Sequence, residues 1–231
     1  MSSKLKDLEK TLLKNRDESQ AKILARYFQT GPGQYGQGDV FLGISVAQQR
    51  AIVKNFFDLS LIDLESLLKS KIHEFRFTAL LIMINQYQSG EKKIVKLYLK
   101  NLKYINNWDL VDLSAHQILG PHFFKINRRP LEDLALNDNH WIRRIAIITT
   151  YYFIKRGDFK TTFKIASKLF KDDFFLNHKA LAWMLREVGN RDEASLIKFL
   201  EDNKTKMSRL SLRIATQKLS DSKRKKFLKN D

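Results

Sequence analysis

Cysteine is absent from the 231 residues. That removes disulfides, cysteine-held zinc, iron–sulfur clusters and thiol catalysis together, and makes a reducing cytoplasm the expected setting. No run of 18 apolar residues occurs, so no segment is long enough to cross a bilayer as a helix. The stretch from Met1 to Lys10 is polar and charged, so no secretory signal is expected there. Proline occurs only at Pro32, Pro121 and Pro130. Glycine occurs nine times, and five of those crowd into Gly31, Gly33, Gly36, Gly38 and Gly43. The other four, Gly90, Gly120, Gly157 and Gly189, each follow a periodic apolar segment, where a helix C-terminus would place them.

What is present points to a folded, basic, helical protein. Hydrophobic residues make up 43% and charged residues 29%, which excludes wholesale disorder. Lys and Arg number 42 against 25 Asp and Glu, a net charge of +17. Such an excess suits a polyanionic partner, most often nucleic acid. Leu-, Ile-, Lys- and Phe-rich segments with helical periodicity follow one another along the chain. They predict helices over 3–15, 17–29, 46–57, 61–70, 73–88, 92–104, 108–119, 130–135, 140–156, 159–170, 174–188, 192–201, 207–219 and 221–229. Strand-like alternation is confined to 39–46, so the fold class is all-α. Paired helices with short connections predict a superhelical solenoid of HEAT-like or armadillo-type repeats, a single helical-repeat domain over 1–231, with a compact bundle as the alternative.

The loop Thr30-Gly-Pro-Gly-Gln-Tyr-Gly-Gln-Gly-Asp39 contains the letters Gly-x-Gly-x-x-Gly, but a helical segment precedes it and no Lys follows it. Neither nucleotide-binding context is met. A mobile lid, or a loop offering its backbone to a ligand, is the expectation. The five histidines, His73, His116, His122, His140 and His178, lack metal-ligand spacing, so no metal is expected and they read as surface, capping or ligand-proximal side chains.

Each tryptophan has a charged residue one turn on: Asp112 after Trp108, Arg144 after Trp141, Arg186 after Trp183. Offsets of three and four share a helix face. The tryptophans are 33 and 42 residues apart, about one helical repeat per step, so the three pairs are expected to converge on one concave, basic face. Wheel arithmetic at about 100° per residue places Leu110, Val111, Ser114 and Ile118 inward and Trp108, Asp109, Asp112 and His116 outward. It likewise turns Trp183, Arg186 and Lys179 outward, and sets Trp141 and Arg144 roughly a third of a turn off the core stripe of a helix that is apolar on most sides. Aromatic faces hold cations and stack on bases, arginines grip phosphates, and a carboxylate stabilises a developing sugar cation. Together these suit hydrolysis of a glycosidic bond in nucleic acid, with Asp112 as the carboxylate that stabilises the cation or positions water. Asp109 is the weaker candidate, since an acid in a first turn commonly serves the helix dipole.

The blocks Asn107-Trp-Asp-Leu-Val-Asp112, Asp138-Asn-His-Trp-Ile-Arg-Arg144 and Lys179-Ala-Leu-Ala-Trp-Met-Leu-Arg-Glu187 resemble the AlkD-type DNA alkylation repair family, as do the Gly31–Gly43 loop and Met207-Ser-Arg-Leu-Ser-Leu-Arg213. The resemblance covers nearly the whole chain in order. It implies a HEAT-like repeat solenoid and a monofunctional DNA glycosylase that needs no cofactor. The implied substrates are positively charged alkylated purines, such as N7-methylguanine and N3-methyladenine, in double-stranded DNA. The family's Trp-x-x-x-Asp pair falls on Trp108 and the essential Asp112, and its later tryptophan on Trp183. Arg144 and Arg186 would hold DNA backbone with Trp141 and Lys179 beside them, and Tyr27 would stand near the lesion. The family's concave face contacts backbone and sugar without a deep base pocket, and a cationic leaving base needs no second acid. Tyr152 stands where some relatives carry a basic residue, leaving Lys155 and Arg156 to supply that charge.

The family also contains members with weak or no glycosylase activity, so the alternative function is a noncatalytic helical-repeat protein that binds damaged or branched nucleic acid; a protein-binding scaffold is the further rival. A monomer, nucleoid-associated when bound to DNA, is expected. From Asn203 onward ten Lys and Arg face two Asp, a second candidate phosphate-contact region.

Overall fold

The computed structural model describes residues 2–228; Lys229 and Asp231, part of the basic C-terminal tract, lie outside the described residues. Fifteen α-helices run along the described chain: α1 (Ser3–Lys14), α2 (Glu18–Tyr27), α3 (Val46–Val53), α4 (Leu61–Leu68), α5 (His73–Gln88), α6 (Lys93–Lys100), α7 (Trp108–Phe124), α8 (Arg129–Leu134), α9 (His140–Thr149), α10 (Tyr151–Ile154), α11 (Lys160–Lys168), α12 (Phe175–Gly189), α13 (Glu193–Asn203), α14 (Arg209–Ala215) and α15 (Asp221–Leu228). Short 3-10 turns follow α6 and α13. The fold is all-α. Among the described residues the 39–46 stretch forms no strand: it makes one isolated parallel bridge, Val40 with Ile72, and runs into α3 at Val46.

Local chemistry explains many helix starts. Ser2, Asp17, Ser60, Asn139, Asp192 and Ser208 each cap a first turn with a side-chain oxygen, and Ser45 with Gln48 closes a full capping box. Helix α5 matches the expected 73–88 and is buried along nearly its whole length. A helix apolar on all sides has no wet face, so its polar head, His73, Glu74 and Arg76, is buried too and must be paired.

Several boundaries differ from the periodic pattern, such as 46–57, which ends at Val53, and 207–219, which shrinks to Arg209–Ala215; two have a visible cause. The segment 140–156 divides at Thr150: the hydroxyls of Thr149 and Thr150 bond back to the carbonyls of Ile145 and Ile147, both at 2.7 Å, a competition that interrupts helices. Helix α7 continues through Gly120 and Pro121 to Phe124, so Gly120 is not a helix terminator. Its function is close approach, because a Cβ there would collide with Tyr152 and crowd the Thr149 carbonyl. Gly90 and Gly157 do end helices, with φ of 110° and 73°.

The chain divides into two compact units, with the boundary between Ser114 and Ala115, inside α7. In the first, α3, α4 and α6 pack on α5. In the second, α9, α11, α13 and α14 pack on α12. The principal packings all join helices at most three apart in the chain, the local stacking that helical repeats use.

Replacing Gly120 by Ala tests the close approach. On an exposed helix this change gains about 1 kcal/mol. Against Tyr152 it is expected to cost about 1–3 kcal/mol net, and thermal melts should show a midpoint lower by several degrees. An unchanged or higher midpoint would mean that the contact yields.

Candidate functional site

Helix α7 begins behind Asn107, whose side-chain oxygen accepts from the Trp108 amide at 2.8 Å. Trp108 and Asp112, four residues apart, share a face of that helix, and both are half-buried. The Trp108 ring stacks on Phe28 at 5.3 Å and 16°, and Tyr27 meets it edge-on at 6.0 Å. Tyr27 is 62% exposed, so an open aromatic surface lies against Trp108, one turn before Asp112. Tyr35 hydrogen-bonds the Trp108 side chain, although burial holds its own hydroxyl above the ordinary value. Deeper in the unit the hydroxyls of Tyr98 and Ser114 pair at 2.9 Å. Burial, reinforced by the Asp112 charge, keeps the Tyr98 phenol protonated against the opposing pull of Ser114.

The glycine-rich loop that precedes this surface is tied down at many points. Side chains of Gln34 and Gln37 accept from the amides of Gly31 and Gly33 at 2.9 and 2.8 Å. The Glu74 carboxylate accepts from Leu42, Gly43 and Ile44 at 2.9, 2.9 and 3.3 Å. Gly43, at φ 85°, lies so close to the Asp17 carbonyl and the Ala21 amide that no side chain fits. These bonds tether the loop at both ends; of the two expectations for it, a mobile lid or a loop offering its backbone to a ligand, the tethering favours the second.

His73 and Asp109 also depart from expectation. His73 is 3% exposed, where a surface, capping or ligand-proximal side chain was expected. Its Nδ1 lies 3.1 Å from Asp39 and its Nε2 2.8 Å from Asp109. Asp39 also accepts from Arg76 at 2.6 Å and from Asn107 at 3.2 Å. Burial alone would push the imidazole down, but Asp109, by charge and hydrogen bond, and then Asp39 outweigh it and the opposing Arg76; the result is about 9. For Asp39, burial acts upward, yet His73, Arg76 and Asn107 hold its carboxyl below the ordinary range. Asp109 therefore serves a buried network, not the helix dipole alone. Its signal in the sequence was three polar residues at the head of an otherwise apolar helix.

In the second unit Trp183 is half-buried, its ring 5.9 Å from Tyr151 and its indole N–H donating to Glu187 at 3.3 Å. Arg186, on the same helix, donates to Gln217 at 2.6 Å. Lys179 is exposed above the Phe175 ring. Lys155 and Arg191 both stand over Tyr151, at 4.9 and 5.9 Å, and Arg156 lies over Tyr152 at 3.4 Å. Burial, with Arg156 and Arg191 nearby, lowers the Lys155 ammonium. His116 meets Tyr151 edge-on and is driven down to about 4, chiefly by burial and then by Lys155.

Trp141 and Arg144 do not face outward. Trp141 is 4% exposed, edge-on to His140 and Phe174. Arg144 is 5% exposed and donates to the Leu176 carbonyl at 2.7 Å. The physical reason is that the start of α12 covers this side of α9. Arg143 fastens it there, gripping Asp172 with both Nε and Nη2, at 2.7 and 2.9 Å. In the C-terminal tract, Lys223 and Lys226 are engaged by Glu193 and Glu201, while Arg209 and Arg213 line a cleft with Leu210 and Leu228. Among the described residues no three His, Asp or Glu side chains group as metal ligands, and no helix is long and apolar enough to cross a membrane.

Among curated proteins nothing matches the chain. A solved structure described as a predicted DNA alkylation repair enzyme from Enterococcus faecalis shares the fold, with a TM-score of 0.74 at 17% identity. The match covers 90% of this chain and 98% of that one. The family model for DNA alkylation repair enzymes matches residues 8–219, running through both units. This chain belongs to the DNA alkylation repair enzyme family.

Proposed function

We propose that, within the DNA-repair role of its family, this protein is a monofunctional glycosylase that releases cationic alkylpurines from duplex DNA. The observation that carries the proposal is the Trp108 face: a half-buried indole stacked on Phe28, met by an open Tyr27, with the Asp112 carboxylate one turn along the same helix. Electron-rich rings favour a base that carries positive charge. As the C1′–N bond lengthens, its electron pair moves to the base and cancels that charge, so no acid is required at the leaving group. The sugar becomes oxocarbenium-like, and Asp112 stabilises it. Water adds at C1′ and loses one proton, leaving a neutral alkylpurine and an abasic deoxyribose. Trp183, on α12 of the second unit, is the further aromatic side chain the proposal assigns to substrate. Arg186 and Lys179 supply phosphate contacts, consistent with the net charge of +17. The buried Arg144 and Trp141 support the binding surface by seating the start of α12.

Base release from methylated duplex DNA tests the assignment. Asp112→Asn should reduce the single-turnover rate by about 10²–10³-fold while DNA still binds, as loss of one preorganised charge does. Duplex binding without any base release by the native protein would favour the noncatalytic binder.

The product is expected to be an intact strand with an abasic site, because no Schiff-base lysine is part of the proposal. Strand scission by the purified protein, read on a denaturing gel after neutral incubation, would overturn this.

A further inference from the structure

His73 belongs to none of the residues assigned to substrate, yet three separate segments meet at its ring. Asp39 comes from the end of the glycine-rich loop, Asp109 from the first turn of α7, and Arg76 from its own helix α5, 3.4 Å from Nδ1. These are the charged groups that face it. Phe41 stacks on the imidazole at 4.5 Å and 23°, and Phe28 lies against it at 5.1 Å. Phe28 is also the ring on which Trp108 stacks.

Two arguments favour the charged form of this imidazole. A neutral histidine has one donor nitrogen and one acceptor nitrogen, whereas a carboxylate only accepts. Both ring nitrogens of His73 meet carboxylate oxygens, at 3.1 and 2.8 Å, both closer than the Arg76 guanidinium at 3.4 Å, an arrangement that a doubly protonated ring satisfies best. Charge balance agrees: two largely buried carboxylates need two cations, and Arg76 provides only one.

We propose that the His73 imidazolium is a positioning residue that locks the glycine-rich loop to the N-terminus of α7 and so fixes the plane of Trp108 beside Asp112. The loop joins through Asp39, α7 joins through Asp109, and the Phe41–His73–Phe28–Trp108 column carries the alignment to the aromatic face. The structural part of this stands on the geometry alone. Its consequence for catalysis rests on the glycosylase reading above.

The test combines the native chain with two variants. Imidazole nitrogen NMR of the native protein should show His73 protonated on both nitrogens at pH 7.5. It should lose a proton only as pH rises through about 9. Because the folded value is raised above 6.5, the tie is complete below that pH and is lost on the alkaline side. Hydrogen exchange of the 31–43 amides should speed up, and Trp108 emission should shift, over that same range. His73→Gln should reproduce both changes at pH 7.5. It should also slow single-turnover base release by about ten- to a hundredfold while duplex affinity stays within about threefold, the mark of misplacement without lost binding. His73→Gln combined with Asp109→Asn removes one charge of each sign and restores a donor–acceptor match, so it should recover most of the rate and the slow exchange. A neutral His73 at pH 7.5, or loop exchange unchanged in His73→Gln, overturns the proposal. If His73→Gln does not fold, the native titration still decides the structural tie. If the native protein releases no base, the glycosylase reading fails, and the exchange and NMR data still judge the lock.

Discussion

Two carboxylates from distant parts of the sequence converge on one buried imidazole, and the first unit is organised around that meeting. Neither acid tolerates burial without a positive partner. Asp39 has His73, Arg76 and Asn107; Asp109 has His73. Because the imidazole is raised above its ordinary value by these carboxylates, its charged form favours the folded state at neutral pH and that contribution is lost on the alkaline side. The same ring lies in an aromatic column that ends at Trp108. Charge neutralisation and placement of the aromatic face are therefore one structural feature.

The second unit uses the same physical principle with different residues. Arg143 grips Asp172 in a two-point hydrogen bond, and Asp172 also accepts from the Phe174 amide and the Asn177 side chain. Together these hold the segment leading into α12 over α9, and that covering buries Trp141 and Arg144. Trp183, Arg186 and Lys179 then lie along α12 with partial or full exposure. In each unit a buried carboxylate fastens the loop whose neighbours carry the candidate DNA-facing side chains. A site that acts on a large polyanion benefits from such rigidity, since electrostatic stabilisation works best when the groups are already in place.

Much of this was legible in the primary structure, and the particular residues show why. Helix α5 matched its expected range because a long, largely apolar run through Phe75–Ile84 ends near Gly90, a clear stop signal. That Trp108 and Asp112 share a helix face was legible from spacing alone, because residues four apart on a helix lie one above the other. Gly120 misled because glycine ends helices through its backbone freedom but also permits close packing through its missing side chain; only the position of Tyr152 distinguishes the two. Trp141 misled for a related reason. On a helix apolar on most sides, the wheel gives a direction but not what lies in that direction.

Sequence by itself determined the helical class, the basic surface, the family and the residue types able to stabilise a sugar cation, since these follow from composition, short-range periodicity and ordered motifs. Tertiary structure alone decided that the glycine-rich loop is tethered, that Asp109 serves a buried network, and that His73 lies between two carboxylates. Those facts depend on Asp39, His73 and Asp109, which are more than thirty residues apart in the chain, coming within hydrogen-bond distance. Protonation in a protein interior depends on which charges arrive nearby in space, and no local pattern along the chain records that.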